Sequence, residues 1–338
     1  MPDSRAATVP SPSVPSSNRT RLLASFLAVY LIWGSTYLAI RFAIETLPPL
    51  LMAGARFLLA GTIMFTWAWL SGARPSRAHW IAGAIMGILL LAGGNGLVVW
   101  AEQSLPSSLT ALLISMTPLW MALIDWLRPG GVRPSLPVAA GLALGFAGIV
   151  LLVAPWERGA GASALNLGGI ALVLIASCSW AAGSLYGRGA KLPASPVLGT
   201  GIEMLAGGGV LLAAALLAGE AGQLHLDHVS ARSGLAFVYL IIFGSIVAFT
   251  AYVWLLKHTT IARASTYAYV NPVVAVFLGW AFAGEQLTGR TWLAAAVIVA
   301  AVVIITTFRG RAVAPSPTEA TSADDRALPG PALAGTRK

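Results

Sequence analysis

The stretch LLASFLAVYLIWGSTYLAIRFAI at residues 22–44 runs for 23 residues with a single charge, Arg41. About 20 apolar residues at about 1.5 Å each cross a hydrocarbon core that is about 30 Å thick. The stretch is too long for the apolar core of a signal peptide, and it lacks a small-residue cleavage site. It therefore predicts a transmembrane helix that is retained in the protein.

Nine further apolar stretches along the chain repeat this pattern. They are long and apolar on every face, whereas a β-barrel would need short alternating strands. The composition agrees, because 57% of the residues are hydrophobic and 10% are charged, while soluble domains carry roughly 25% charged residues. The sequence thus predicts an all-α polytopic membrane protein. Its ten transmembrane helices are predicted over 22–44, 49–70, 79–101, 107–127, 135–154, 167–187, 196–218, 232–256, 262–283 and 290–308.

Lysine and arginine are distributed unequally between the two sides of these helices. If the termini and every second loop share one side, that side holds 16 of the 21 Lys and Arg residues and the opposite loops hold three. Positive residues close to helix ends favour the cytoplasmic side. We therefore expect a multi-pass protein of the cell inner membrane with both termini in the cytoplasm. The same distribution accounts for the net charge of +9, so no nucleic-acid partner is expected.

The helical region contains an internal duplication. We expect a tail without fixed structure over 1–20, five-helix repeats over 21–155 and 166–309, and a second tail over 310–338. Because five is an odd number, the second repeat must enter the membrane from the other side, which is typical of secondary transporters. The matching pairs, at shifts of 147 and then 154 residues, are Trp33/Trp180, Leu38/Leu185, Arg41/Arg188, Pro49/Pro196, Arg56/Glu203, Trp100/Trp254 and Pro118/Pro272.

Several short motifs carry a resemblance to a known family. They are Trp33-Gly34-Ser35, Pro48-Pro49, Arg56-Phe57, Pro118, Pro272 and Gly284-Glu285. Together they resemble the drug/metabolite transporter superfamily, EamA branch, over about residues 22–308. The ending Trp120…Asp125-Trp126-Leu127 is similar to exporters of the YedA-like group. The resemblance implies export of metabolites, amino acids or drugs across the bacterial inner membrane without nucleotide. One departure is that Gly130-Gly131 stands where the family often repeats the Gly-Glu pair after the fourth helix.

Two charged side chains lie well inside predicted helices. A buried charge costs about 2.5–3.5 kcal/mol on insertion scales, so Arg56 and Glu203 each need a reason. Each lies about 10 Å deep in the membrane at 1.5 Å per residue. Because the two depths are counted from opposite faces of the membrane, a direct ion pair between Arg56 and Glu203 is not assured. Glu203 either titrates or binds a cationic group, or it satisfies polar groups between helices. For Arg56 we favour the second kind of role, which is structural or charge-pairing. We expect the same kind of role for Arg41.

Two prolines lie near the centres of predicted helices. Pro118 and Pro272 each remove a backbone hydrogen bond, which leaves the carbonyls of Ile114 and Ala268 free for a ligand, a water or a neighbouring hydroxyl. Thr117 and Asn271 precede the prolines and add polar groups at that depth. We expect Thr117, Pro118, Asn271 and Pro272 to line a cavity. A static bend that neighbouring helices satisfy is the alternative.

The remaining cavity candidates are an amide and three aromatic residues. Asn95 lies in the small-residue run Gly93–Gly96 and either faces the cavity or joins two helices. Trp33, Tyr37 and Trp180 lie on the first helix of each half. They are suited to stacking an aromatic or cationic substrate, although core packing is an equal alternative.

Enzyme and cofactor motifs were sought along the chain without a match. The sequence has no phosphate loop, no His-Glu-x-x-His and no Gly-x-Ser-x-Gly, so we expect no catalytic residues, no cofactor and no enzyme. His225, Asp227 and His228 have a spacing compatible with a metal, but a solvated loop is the better interpretation. The expected partners are a small-molecule substrate, protons as a candidate coupling ion and the lipid bilayer, with no obligatory protein partner.

Three functions are compared on this basis. A secondary transporter that works by alternating access is favoured. An uncoupled facilitator or channel for small solutes on the same fold is the main alternative. A membrane enzyme would need a nucleophile and a base at matching depth, and neither is evident.

Overall fold

A computed structural model describes residues 16–129, 131, 133–153, 166–259, 263 and 266–311. All secondary structure in these ranges is helical. Eight of the described helices are long and apolar enough to cross a membrane, and two further apolar helices are shorter. The two predicted tails lie mostly outside the described ranges. Within the described residues the chain is therefore an all-helical membrane protein, as the sequence predicts.

The helices are numbered along the chain. Their bounds are α1 Ser16–Ala43, α2 Pro49–Leu70, α3 Arg77–Ala101, α4 Ser107–Leu127, α5 Leu136–Val153, α6 Leu167–Gly187, α7 Pro196–Leu217, α8 231–258, α9 Tyr267–Ala283 and α10 Gly289–Arg311. Most ends lie within two or three residues of the prediction. The exceptions are α1, which begins at Ser16 within the stretch assigned to a tail, and α9, which begins at Tyr267 instead of residue 262.

Local sequence signals explain where several helices begin and end. Pro49 and Pro196 occupy first-turn positions of α2 and α7, where an N–H would be unpaired in any case. Ser195 also caps α7 by accepting a hydrogen bond from the backbone of Leu198. Gly284 ends α9 in the left-handed conformation, at φ 65°, which costs glycine little because it has no Cβ.

Helices α3 and α8 are not uniform α-helices, although the sequence predicts uninterrupted ones. Each contains a π-helical segment, Gly87–Gly96 in α3 and Leu240–Val247 in α8. A π-helical turn widens the helix and leaves carbonyls displaced from the regular ladder, and such turns are frequent at functional sites. The repeat shift of 154 residues places the second segment on 86–93. The same irregularity thus occurs in the same helix of both repeats.

Helices α2 and α7, which are equivalent under the shift of 147 residues, pack directly against each other. A methyl group on Gly54 would lie 3.2 Å from the carbonyl oxygen of Gly208, and one on Gly61 would lie 3.1 Å from that of Gly201. As the residue number rises along α2 it falls along α7, so the two helices are antiparallel. The absence of Cβ atoms allows this close approach. The sequence comparison had not singled out these four glycines.

Glycines of α5 and α3 also lie at close contacts between helices. On α5, methyl groups at Gly141 and Gly145 would come within 2.8 Å of Ile305 and 2.7 Å of Leu119. On α3, a methyl group at Gly87 would lie 2.4 Å from the carbonyl oxygen of Glu203. The core contains two large buried clusters, one built around α1, α2, α3, α7 and α8 and the other around α4, α5, α6 and α10. A smaller cluster around Val29 and Leu255 includes Trp33.

Candidate functional site

Trp33 on α1 lies at the centre of an aromatic cluster. Its ring centroid is 5.1 Å from each of the rings of Phe249, Tyr252 and Tyr267, which belong to α8 and α9. Its indole Nε1 donates a hydrogen bond of 3.3 Å to the carbonyl oxygen of Gly244, in the π-helical segment of α8. The cluster therefore places an amphipathic aromatic surface where the first repeat meets the second.

The equivalent residue of the second repeat, Trp180 on α6, also contacts a π-helical segment. A methyl group on Gly94 would lie 2.8 Å from Cε3 of Trp180. The neighbouring Ser179 donates from its hydroxyl to the carbonyl oxygen of Leu89, at 2.7 Å. The first helix of each repeat thus satisfies a carbonyl in the π-helical segment of the other. Equivalent positions of the two repeats therefore make equivalent contacts.

Arg56 on α2 is buried and held by the second repeat. Its Nε donates a hydrogen bond of 2.9 Å to the Ser245 hydroxyl, which in turn donates to the carbonyl oxygen of Leu240. The guanidinium also lies 4.7 Å from the ring centroid of Phe57. These contacts give Arg56 a polar and an aromatic partner, and neither of them is a carboxylate.

Glu203 on α7 is also buried, but its carboxylate has no hydrogen-bond partner among the described residues. Its backbone packs against Gly83 and Gly87 of α3. Arg56 and Glu203 do not form an ion pair; the described pairs are Arg128–Asp125, His228–Asp227 and Arg232–Glu45. The two equivalent positions therefore differ in environment as well as in charge.

The proline of α4 directly follows a break in the helix. Helix α4 is interrupted at Ser115 and Met116, and Pro118 is the second residue of the new segment Thr117–Leu127. In a first turn no helical hydrogen bond is lost. The Ile114 carbonyl accepts a hydrogen bond of 2.7 Å from the Thr117 hydroxyl. Of the alternatives given for this carbonyl, the neighbouring hydroxyl is the one observed, and the break in the helix lies directly before Pro118.

The equivalent proline of α9 lies inside an unbroken helix. Pro272 and Asn271 are both buried, within Tyr267–Ala283. The Oδ1 atom of Asn271 has no hydrogen-bond partner among the described residues, and a buried unpaired amide oxygen is costly. The backbone carbonyl of Asn271 approaches Gly34, one residue beyond Trp33. An acceptor is thus available beside the aromatic cluster.

Tyr37, Asn95 and Arg41 extend the candidate site. Tyr37 lies one helical turn after Trp33 on α1 and packs against the first core cluster. Asn95 is half-buried in the π-helical segment of α3, with no side-chain hydrogen bond in the described part of the chain. Arg41 donates a hydrogen bond of 2.7 Å to the backbone carbonyl oxygen of Glu102.

Two carboxylates near this last contact have roles that sequence reasoning had not assigned. Glu285 accepts three hydrogen bonds of 2.7–3.0 Å, from the backbone and hydroxyl of Ser107 and the backbone of Ser108, at the start of α4. Glu102 is fully buried, and neither of its carboxylate oxygens has a partner among the described residues. The available signal was an acidic residue directly after an apolar stretch, which usually indicates a solvated loop.

Gly131, in the loop after α4, is closely packed. A methyl group on Gly131 would lie 2.2 Å from the carbonyl oxygen of Asp125. The loop as it stands therefore leaves no room for a side chain at this position. In the α7–α8 loop, His225 and His228 are exposed, and the described residues contain no group of three or more His, Cys, Asp or Glu that could hold a metal.

Comparisons with known proteins agree with this architecture. The chain matches the EamA-like transporter family over residues 21–154 and again over 167–307. It is 43% identical over 288 residues to a protein of Escherichia coli strain K12 named as the uncharacterised inner membrane transporter YedA, which covers 84% of this chain and 90% of that protein. An uncharacterised transporter of Synechocystis sp. is 26% identical over 83% of this chain and 88% of its own length.

One solved protein structure supports the same fold. It has a TM-score of 0.58 at 21% sequence identity and covers 88% of this chain and 99% of its own. The two family matches coincide closely with the two predicted repeats. The chain belongs to the EamA-like transporter family, within the drug/metabolite transporter superfamily. It is a membrane transporter and not an enzyme.

Proposed function

We propose that this protein is a secondary transporter that exports small metabolites, amino acids or drugs across the inner membrane by alternating access. The observation that carries the proposal is the antiparallel contact of the equivalent helices α2 and α7. A repeat axis in the membrane plane makes equivalent helices antiparallel, whereas an axis along the membrane normal makes them parallel. This contact supports an inverted duplication of ten transmembrane helices, with the site between the repeats.

In the proposed orientation, both termini are cytoplasmic. The supporting observation is the excess of Lys and Arg on the side of the termini. The relative from E. coli is named as an inner membrane protein, which supports the same location. In a Cys178→Ala background, Ser71→Cys on the cytoplasmic side and Gln223→Cys on the opposite side give two reporters. With intact spheroplasts, a membrane-impermeant maleimide should label residue 223 and spare residue 71. The reverse pattern overturns this orientation.

The proposed binding surface combines the aromatic cluster with unpaired polar groups. Trp33 and the Asn271 acceptor lie on packed helices, and Trp180 occupies the related place in the other repeat. Tyr37, Asn95, Thr117, Pro118 and Pro272 are proposed to complete the surface. An aromatic surface with few polar groups is typical of sites for small organic molecules. Purified protein should melt at a higher temperature with a bound metabolite, because ligand binding stabilises the folded state by mass action.

Protons are the proposed coupling ion, and the uncoupled facilitator is the alternative. Glu203 supports coupling, because it is a buried carboxylate without a partner between the repeats. Counterflow in proteoliposomes should respond to an imposed pH gradient, and Glu203→Gln should remove that response while exchange continues. If a pH gradient leaves the accumulation of every exchanged substrate unchanged, the facilitator is the correct function.

A further inference from the structure

Glu102 is a buried carboxylate that the proposed transport cycle does not yet use. It directly follows the membrane span Arg77–Ala101 and has no exposed surface. Both of its oxygens lack hydrogen-bond partners in the described part of the chain. Leaving a charged carboxylate buried and unpaired is far more costly than leaving its neutral acid form in the same place.

The surroundings of Glu102 differ sharply from those of its acidic neighbour. Glu285 accepts three hydrogen bonds at the N-terminus of α4, where the helix dipole also favours negative charge. Glu102 receives none. Of these two carboxyl groups, Glu102 is therefore the one whose negative charge has no hydrogen-bond donor to offset it.

The other groups that face Glu102 do not replace this proton. Arg41 donates a hydrogen bond to the backbone carbonyl of Glu102 and not to its carboxylate. Tyr37 of α1 is near enough to Glu102 for the two side chains to interact electrostatically. The adjoining part of α6, residues 167–177, has no titratable side chain, and the one charged residue of α2 is Arg56, held by Ser245. Burial and, second, the Glu285 carboxylate raise the pKa of Glu102 well above its usual range, and Arg41 opposes them.

We propose that Glu102 is a proton-binding site, neutral while this end of the bundle is packed and ionised when this end opens to water. The reaction is the reversible binding of one proton to the carboxylate, and the proton comes from the aqueous phase that the open end contacts. Ionisation in the packed state would place an unpaired negative charge beside the Glu285 carboxylate. Deprotonation thus favours separation of α3 from the loop that carries Glu285, and protonation favours closure.

Infrared spectroscopy tests the proposal without a known substrate. Purified full-length protein at neutral pH should show the carbonyl stretch of a buried protonated carboxylic acid. Glu102→Gln should remove this band. Glu45→Gln, at an exposed glutamate paired with Arg232, should leave it unchanged, and Glu203→Gln separates any contribution from α7. A neutral-pH spectrum that is the same in wild type and Glu102→Gln overturns the proposal.

The pH dependence of thermal stability provides a second measurement. The folded-state pKa of Glu102 is raised, so the folded state binds more protons than the unfolded state above the unfolded value of about 4.3. This contribution to stability is fully present below that value and is lost as the pH rises towards the folded pKa. Wild-type protein should therefore lose melting temperature on alkalinisation more steeply than Glu102→Gln. Equal slopes in the two proteins contradict the proposal.

Failure of the Glu102 proposal can be distinguished experimentally from failure of the transport proposal. If Glu102→Gln folds poorly, Glu102→Asp keeps a titratable group, and its spectrum should retain a protonated-acid band. A band lost on addition of Na⁺ at constant pH would assign the site to a metal cation and overturn the proton assignment. A failure of counterflow with a normal infrared result would instead count against the proposed transport cycle.

Discussion

Helices α2 and α7 are the same element in two repeats, and they agree in packing while they differ in chemistry. Both bring glycines to the contact, with Gly54 facing Gly208 and Gly61 facing Gly201. At the next equivalent pair, Arg56 is held by Ser245 while Glu203 has no partner among the described residues. The backbone contact is thus symmetric, and the polar groups beside it are asymmetric.

The largest expected effect comes from breaking the symmetric contact. A side chain on Gly54 must enter the backbone of α7, where a methyl group would already lie 2.7 Å from the Leu212 nitrogen. We expect Gly54→Leu to lower the free energy of unfolding by about 3 kcal/mol, as strong overpacking does. Gly209→Leu is the matched control, because the space beside Gly209 is open. Melting in detergent measures both, and equal losses would contradict the role of this contact.

Exchanging the two unlike residues for glutamine sharpens the chemical half of the comparison. Arg56→Gln removes a charged hydrogen bond to Ser245, so we expect a loss of about 2 kcal/mol in unfolding free energy. Glu203→Gln keeps the shape and removes no observed hydrogen bond, so a change within about 0.5 kcal/mol is expected. Its effect should appear in the pH dependence of counterflow. A larger stability loss in Glu203→Gln than in Arg56→Gln would reverse the assigned roles.

The two repeat-related prolines provide a third comparison. Pro272 is inside α9, whereas Pro118 lies in a first turn. An interior proline destabilises a helix because it removes a hydrogen bond and crowds the preceding turn. Pro272→Ala should therefore raise stability by about 1 kcal/mol if α9 straightens, with slower exchange if the bend takes part in opening. Pro118→Ala should change the melting temperature little. Equal effects would mean that both prolines act as simple caps or simple kinks.

The smallest expected effect separates the two tryptophans. Trp33→Phe keeps an aromatic ring but removes the hydrogen bond to Gly244, with an expected loss of about 1 kcal/mol. Trp180 has no indole hydrogen bond in the described residues, so Trp180→Phe should be milder. Comparing melting temperatures of the two variants checks the difference. A milder effect at Trp33 would show that the π-helical carbonyl does not depend on its indole donor.

Whether a feature could be predicted from the sequence depends on how far apart along the chain the interacting residues lie. Apolar length and proline or glycine signals act locally, and they located most helix ends, including the starts of α2 and α7. The π-helical segments were missed, because they depend on what packs against each helix. Likewise, no local signal distinguishes Glu102, which is buried, from an acidic residue in an ordinary loop.

By itself, the sequence determined that this chain lies in a membrane, that it contains two related halves and that it resembles EamA transporters. These properties follow from hydrophobicity and from the order of residues, which no packing arrangement can alter. The tertiary structure alone decided which polar groups have partners. Arg56 is paired, Glu203 and Glu102 are not, and Glu285 holds the start of α4. The reason is that the desolvation of a charge, and the donors that offset it, are set by residues distant in sequence.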